Sequence, residues 1–213
     1  MNGIVVVDKP PFFTSHDVVD FIRRKFKFKK VGHAGTLDPL ATGVLVILLG
    51  SFTKKSIEFT NADKEYQSTL SLGVETDTGD SQGKIISSQK IDKISKEEIQ
   101  NVFSRFLGEI TQIPPMVSSL KHRGKPLYKL ARQGITVERL PRKILIKSLE
   151  ITRIEPPEID FRIVCSKGTY IRQLAVDIGK KLNCGAHLSK LRRVKSGAFS
   201  LDKAINWEQL QKI

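Results

Sequence analysis

The chain has little of what builds disulfide scaffolds, metal centres or membrane spans. Its 213 residues include two cysteines, Cys165 and Cys184, with no Cys-x-x-Cys spacing, so both are expected to be reduced, packed side chains. The four histidines, His16, His33, His122 and His187, are dispersed and fall at no ligand spacing, which argues against a structural zinc site. The acidic segment ETDTGDSQG at 75–83 lacks the glutamate and the spacing of a calcium loop, so no metal is expected there. No apolar run exceeds the six residues Val44 to Leu49, far from the roughly 20 that a membrane span needs. The start, MNGIVVVDKPPF, has no basic region ahead of its short apolar stretch and does not have signal-peptide form. A cytoplasmic protein without metal or membrane partner is expected, and a monomer, because no apolar heptad stands out.

What the chain has in excess is positive charge. Lys and Arg number 36 against 22 Asp and Glu, a formal net charge of +14. The cations cluster as RRKFKFKK at 23–30, KHRGKPLYKLAR at 121–132, RLPRK at 139–143 and KLRRVK at 190–195. A merely solvated surface would mix the signs more evenly, so a polyanionic partner, nucleic acid, is the first inference. Hydrophobic content of 39% with 27% charged residues is ordinary for a globular chain, and one domain over 1–213 is expected.

Periodicity supplies the elements. Gly3 to Asp8 reads as a short buried strand, followed by a helix from about Ser15, a plausible N-cap, with Val18, Ile22 and Phe26 as its apolar stripe. Val44 to Leu49 reads as a buried strand, and Lys64 to Gly73 alternates as a half-buried one. Ser95 with Glu98 forms a capping box for a helix to about Leu107, closed by Gly108. Residues 113–143 read as an RNA-facing flap with a short helix near Pro126 to Gln133. Lys143 to Ile154 and Ile159 to Cys165 read as paired strands, Ile171 to Leu182 as a helix, Ala186 to Val194 as a strand and Ile205 to Leu210 as a terminal helix. Strands and helices mix without regular βαβ alternation, which predicts an α+β fold: a mixed, mainly antiparallel central sheet flanked by helices.

The most informative stretch is GHAGTLDPLATGVLVILLG, Gly32 to Gly50. It sets one carboxylate, Asp38, in a Gly/Thr/Pro-rich turn directly before the apolar strand. Pro39 biases Asp38 toward an extended backbone, and His33, Thr36 and Thr42 add polar groups around the acid. Arg172 falls in the first turn of its helix, where the dipole disfavours a cation, so a partner anion is expected: Asp38 or a phosphate. A carboxylate, an arginine, the strand tyrosine Tyr66 and a basic surface, with no phosphate-binding glycine loop, suit nucleophilic work on a nucleic-acid base.

Six motifs in order, VVVDKPPFFTSHDVV, GHAGTLDPLATGVL, KEYQSTLSLGVETDTGDSQG, IPPMVSSLKHRGKPLYKLARQG, CSKGTYIRQLAVDIG and GAHLSKLRR, closely resemble the TruB family of bacterial tRNA pseudouridine synthases over essentially the whole chain. The resemblance implies the pseudouridine synthase fold with RNA-binding insertions, and isomerisation of the T-loop uridine at tRNA position 55 without cofactor. It implies Asp38 as nucleophile, Tyr66 as the active-site aromatic, Arg172 as partner of Asp38, His33 in contact with displaced RNA and Leu191 in the pocket wall. Lys9 and Pro10 match a supporting motif near the site. Lys9, Lys121, Arg123, Lys125, Arg192 and Arg193 are the basic residues assigned to the RNA, whose T-stem-loop is the expected partner.

Such a reaction must expose the base, so the target nucleotide has to be flipped from its stack. Asp38 could attack uracil C6 or ribose C1′. Proteins of this family usually continue into a C-terminal PUA-type module, whereas this chain stops at Ile213 shortly after WEQL. The expectation is that the module is absent, with chemistry retained and binding weakened. GTLDP also resembles the start of nucleotidyltransferases, but the His-x-Gly-His they need is replaced by ATGV at 41–44. A tRNA chaperone activity could accompany catalysis. A guide-RNA-dependent synthase shares the aspartate motif, but LATG after Asp38-Pro39 favours the stand-alone enzyme.

Overall fold

The structure is a computed structural model that describes residues 2–91 and 94–213. In chain order its elements are β1 (Gly3–Lys9), α1 (Ser15–Lys25), β2 (Val31–Ala34), β3 (Thr42–Leu49), α2 (Ser56–Thr60), β4 (Lys64–Leu72), β5 (Val74–Thr76), β6 (Ile85–Ser88), α3 (Lys96–Ser104), β7 (Gly108–Gln112), β8 (Lys121–His122), β9 (Lys125–Pro126), α4 (Leu127–Ala131), β10 (Arg142–Glu155), β11 (Glu158–Cys165), α5 (Ile171–Lys181), β12 (Ala186–Ser196), β13 (Phe199–Ser200) and α6 (Trp207–Lys212). Hydrogen bonding orders the main strands β1-β3-β12-β4-β11-β10-β7 in a nine-stranded sheet that also takes in β2 and β13, with separate hairpins β5-β6 and β8-β9. The fold is α+β, as the mixed periodicities indicate.

The chain forms two compact units. The first comprises Met1–Ser68, Arg162–Lys167 and Lys190–Ile213. Its centre is β3, whose residues Val44 to Leu49 are all buried because strands flank both edges. One edge pairs antiparallel with β1, from Gly3↔Leu49 to Lys9↔Gly43. The other edge is shared: β12 runs parallel to it at Thr42 and Gly43, and β2 runs antiparallel at Val46 to Leu49. Ala34, Val44, Val46 and Leu48 form a buried cluster against which Phe52, Phe59 and Phe199 pack. Fully burying each such aliphatic side chain stabilises the fold by roughly 1.5–3 kcal/mol.

The helix α1 is capped one residue earlier than expected. Thr14, not Ser15, is the N-cap: its hydroxyl accepts from Asp17 N at 3.1 Å, and the Asp17 carboxylate accepts from Thr14 N at 2.7 Å. The Thr14 hydroxyl also donates to Asp17 Oδ2 at 2.7 Å, and this bond, with that from Thr14 N, holds the Asp17 carboxyl below its usual pKa. Val18, Val19 and Ile22 bury the inner face, and Phe26 is the C-cap rather than part of the stripe.

The second unit comprises Thr69–Phe161 and Gly168–Ser189. Here β10 pairs antiparallel with β7, Arg142↔Gln112 to Ile146↔Gly108. Ile99, Val102 and Phe103 form the buried face of α3, and Phe103 meets Phe161 edge-on at 5.6 Å. Ile171, Leu174, Ala175 and Ile178 bury one face of α5. At Gly179 a Cβ would lie 2.3 Å from Ala186 N, so the return from α5 into β12 requires glycine. Strands β2, β5, β6, β7, β8, β9 and β13 and helix α2 were not expected from the sequence, and α3 ends at Ser104 rather than near Leu107. Among the described residues no helix is long and apolar enough to cross a membrane, and no group of three or more His, Cys, Asp or Glu could hold a metal ion.

Candidate active site

The backbone of the Asp38 loop, which joins β2 to β3, is tied down at almost every position. Arg193 Nη2 donates to Gly35 O at 2.8 Å. The buried Ser15 hydroxyl accepts from Leu37 N at 2.8 Å and donates to Leu37 O at 3.1 Å. Ala41 N donates to Asp38 O at 3.0 Å, closing a turn over Pro39 and Leu40. Pro39 O accepts from Phe12 N at 2.8 Å and from Lys9 Nζ at 3.3 Å. Leu37 and Ala41 anchor the loop in the core, and the Asp38 side chain stays half-buried between them. Such restraint fixes a carboxylate in one geometry before substrate arrives.

Lys9 and Arg193 lie deeper than an RNA-contacting role allows. Lys9 is fully buried, and its ammonium donates to Pro10 O at 2.8 Å and Phe13 O at 2.6 Å besides Pro39 O. It thus ties the turn after β1 to the Asp38 loop. Burial lowers its pKa to about 8, against the raising effect of the Asp38 charge; Arg193 lowers it further. Arg193 is 1% exposed. Asp8 N donates to Ile205 O, so the Asp8 amide points away from β3, and its partner Val44 turns its carbonyl toward the β2/β12 edge. There Val44 falls between the stretches paired with β12 and β2. Arg193 Nε fills that gap, donating to Val44 O at 2.7 Å.

The close approach of β12 needs Gly43. This residue has φ +100, and a Cβ there would stand 2.2 Å from Arg193 O. The charge of Arg193 also acts on the phenol of Tyr66. Tyr66 is 8% exposed on β4; burial raises its pKa, opposed by Arg193 and reinforced by the Asp38 charge, so it stands as a neutral phenol. Lys64, two residues earlier, donates to Thr60 O and Ala62 O, both at 2.5 Å, and burial and Arg193 lower its pKa to about 8.

His33 ends up on β2 just before the loop, with Nδ1 buried and without a hydrogen-bond partner among the described residues. Burial, then the charges of Arg193 and His16, lower its pKa to about 4, so the ring is neutral at pH 7. Leu191 is buried on β12. Arg192, half-exposed, bonds Asp8 Oδ2 at 2.7 Å and Thr42 Oγ1 at 3.2 Å. The first unit therefore gathers Lys9, His33, Asp38, Tyr66 and Arg193, with Ser15 a clamp that the sequence reading took for a cap.

Arg172, in the second unit, is 3% exposed in the first turn of α5. Its guanidinium donates to Thr78 O at 2.7 Å and Val117 O at 2.8 Å, and Nε lies 3.5 Å from Asp80 Oδ2. Asp80 is thus one anion beside this arginine that the sequence reading did not name. Lys121, Arg123 and Lys125 are exposed on the β8-β9 hairpin, whose central residues Arg123 and Gly124 have φ 48 and φ 81. Two consecutive positive φ values make the tight turn that follows the strand twist, and it holds three cations on one projection.

Comparison with known proteins gives the family. Residues 23–171 match the family described as TruB family pseudouridylate synthase (N terminal domain), and residues 172–213 match tRNA pseudouridylate synthase B C-terminal domain. The tRNA pseudouridine synthase B of Syntrophotalea carbinolica is 50% identical over 99% of this chain and 69% of that protein. That of Opitutus terrae is 46% identical over 99% of this chain and 88% of its own length. Among solved structures, a chain of a Cbf5-Nop10-Gar1 complex superposes with a TM-score of 0.78 at 33% identity, over 99% of this chain and 54% of that one. An H/ACA RNP bound to a substrate RNA containing 2'-deoxyuridine gives 0.74 at 31%, over 99% and 52%. The chain spans about half the length of those two solved chains. With both family descriptions matched end to end along 23–213, the chain belongs to the TruB family of pseudouridylate synthases.

Proposed function

We propose that this protein converts the T-loop uridine at position 55 of tRNA to pseudouridine, acting as one catalytic domain, a monomer in the cytoplasm. The observation that carries the reading is the Asp38 loop: a half-buried carboxylate on an immobilised backbone, beside a neutral tyrosine and a buried arginine. The full-length similarity to proteins named tRNA pseudouridine synthase B supplies the substrate.

The reaction breaks the C1′–N1 bond, turns the uracil and joins C1′ to C5. The C5 proton leaves and N1 gains one, so no electron or group is exchanged with a co-reactant. Asp38 is the nucleophile, at uracil C6 or ribose C1′. Tyr66, kept protonated by burial, presents a ring for stacking on the uracil. Arg193 holds the loop that carries Asp38 through its bond to Gly35 O. Arg172 enters through the resemblance of its motif. The basic hairpin and Arg192 account for phosphate contacts.

The test is tritium release from tRNA labelled at uridine C5. Release from the T-loop uridine by the parent protein, lost in Asp38→Asn with tRNA binding retained, is the expected result. Tight binding without any release would end the synthase reading.

A further inference from the structure

We propose that Phe12 is a stacking platform for an unpaired nucleobase of the bound RNA, placed at the edge of the Asp38 loop. The inference rests on the RNA-synthase reading and adds a binding residue to it.

Phe12 is exposed in an unusual way. Its ring is 74% accessible, and its backbone has φ 66, a left-handed conformation that glycine adopts freely and a bulky side chain resists. Leu140 and Ile57 are as exposed, but neither has a positive φ. A large apolar ring held in solvent by a strained backbone calls for a reason beyond packing. Its neighbours pack normally: Phe13 and Phe21 both lie against Trp207, with ring centroids 5.0 and 4.7 Å away, while Phe12 joins no ring pair among the described residues.

The position is fixed relative to the catalytic loop. Phe12 N donates to Pro39 O, one residue beyond Asp38, and the Lys9 ammonium binds the carbonyls on either side of it, at Pro10 and Phe13, as well as Pro39. The ring therefore moves with the nucleophile's loop rather than as a free side chain.

The surroundings suit a nucleotide. Phe12 borders an open groove of about 720 Å³ that it shares with Phe13 and Phe21 and with the exposed cations Arg24 and Lys25. Of the groove's two carboxylates, Asp20 is paired with Arg23, while Asp17 is hydrogen-bonded by Thr14 and keeps its charge. Aromatic faces beside the exposed cations Arg24 and Lys25 favour a base with its phosphate over an apolar peptide or a second copy of this chain. Flipping one nucleotide out of a loop leaves neighbours without stacking partners, which is what an exposed ring at this place could receive.

The experiment compares the parent with Phe12→Gly and Phe12→Tyr in binding a tRNA T-stem-loop hairpin and a fully paired duplex of the same length. Phe12→Gly removes the ring and relieves the backbone, so it should melt no lower than the parent. Its Kd for the hairpin should rise at least about five-fold, the loss expected for one base–aromatic stack, with the duplex Kd unchanged and the hairpin Kd kept by Phe12→Tyr. Equal hairpin affinity in parent and Phe12→Gly would overturn the proposal, as would equal weakening for hairpin and duplex, or a change in oligomeric state by light scattering in place of a change in RNA affinity. Pseudouridine formation by the parent is scored separately: if the parent forms none, the synthase reading fails, whatever the variants do.

Discussion

Arg193 Nε and Val44 O are 2.7 Å apart, and this bond occupies the place where β3 lacks a strand neighbour between β12 and β2. The same guanidinium reaches Gly35 O at the start of the Asp38 loop, and its charge acts on the phenol of Tyr66. One planar fork thus positions the sheet edge and the loop together, which a lysine ammonium on a flexible stem cannot reproduce.

Arg193→Lys is therefore expected to lower unfolding free energy by about 2–4 kcal/mol, since charge-assisted hydrogen bonds are lost and carbonyls are left buried. Urea denaturation measures the stability. Tritium release at a temperature where the variant is folded should fall by at least about ten-fold, because the loop loses its support. Full activity in a folded Arg193→Lys protein would contradict the positioning role.

His33 gives a pH dependence of defined sign. Its pKa is about 4 in the folded protein against the ordinary 6.5 of an imidazole, so above pH 6.5 it is neutral in both states and contributes nothing. Between 6.5 and 4 the unfolded chain binds a proton that the folded chain refuses, so stability falls on acidification across that window. His33→Gln should flatten this component: the parent-minus-variant difference in melting temperature is expected to be constant above pH 6.5 and to drop as pH approaches 4. A difference that stays constant throughout would place the folded pKa near its ordinary value.

The β8-β9 hairpin bears on affinity alone. Replacing Lys121, Arg123 and Lys125 with alanine should reduce the slope of log K against log salt for tRNA binding by about two to three, the number of phosphate contacts removed. All three side chains are exposed, so melting temperature should hardly change. An unaltered slope would take the hairpin out of the RNA interface.

How far the residues alone could be read varies with position. The alternation in β4 and the apolar run in β3 placed both strands within two residues, because a buried face imposes its period directly on the sequence. The Asp38 turn was legible for the same local reason, since Pro39 restricts its own backbone and the glycines permit positive φ whatever surrounds them. In β12 the local signal is ambiguous: Leu188 and Leu191 are both buried, yet three residues apart they cannot share a face of a regular strand. Arg193 follows Leu191 inward, and only the shift of phase between the two leucines reveals it. The hairpin at 121–126 is too short to show any period, and Arg123-Gly124 was its one cue.

The sequence by itself determined the partner class, through clustered charge, and the family, through ordered motifs. It also determined the long strands β1, β3, β4, β10, β11 and β12 and the helices other than α2, because these depend on neighbours along the chain. The tertiary structure alone decided that Lys9 and Arg193 face inward, that Ser15 clamps Leu37, that Asp80 lies beside Arg172 and that Phe12 faces solvent. Those outcomes depend on carbonyls, carboxylates and strand edges supplied from elsewhere in the chain, as Val44 is for Arg193, 149 residues away. A long cationic side chain has no fixed preference for surface or interior until such partners are in place to replace its water.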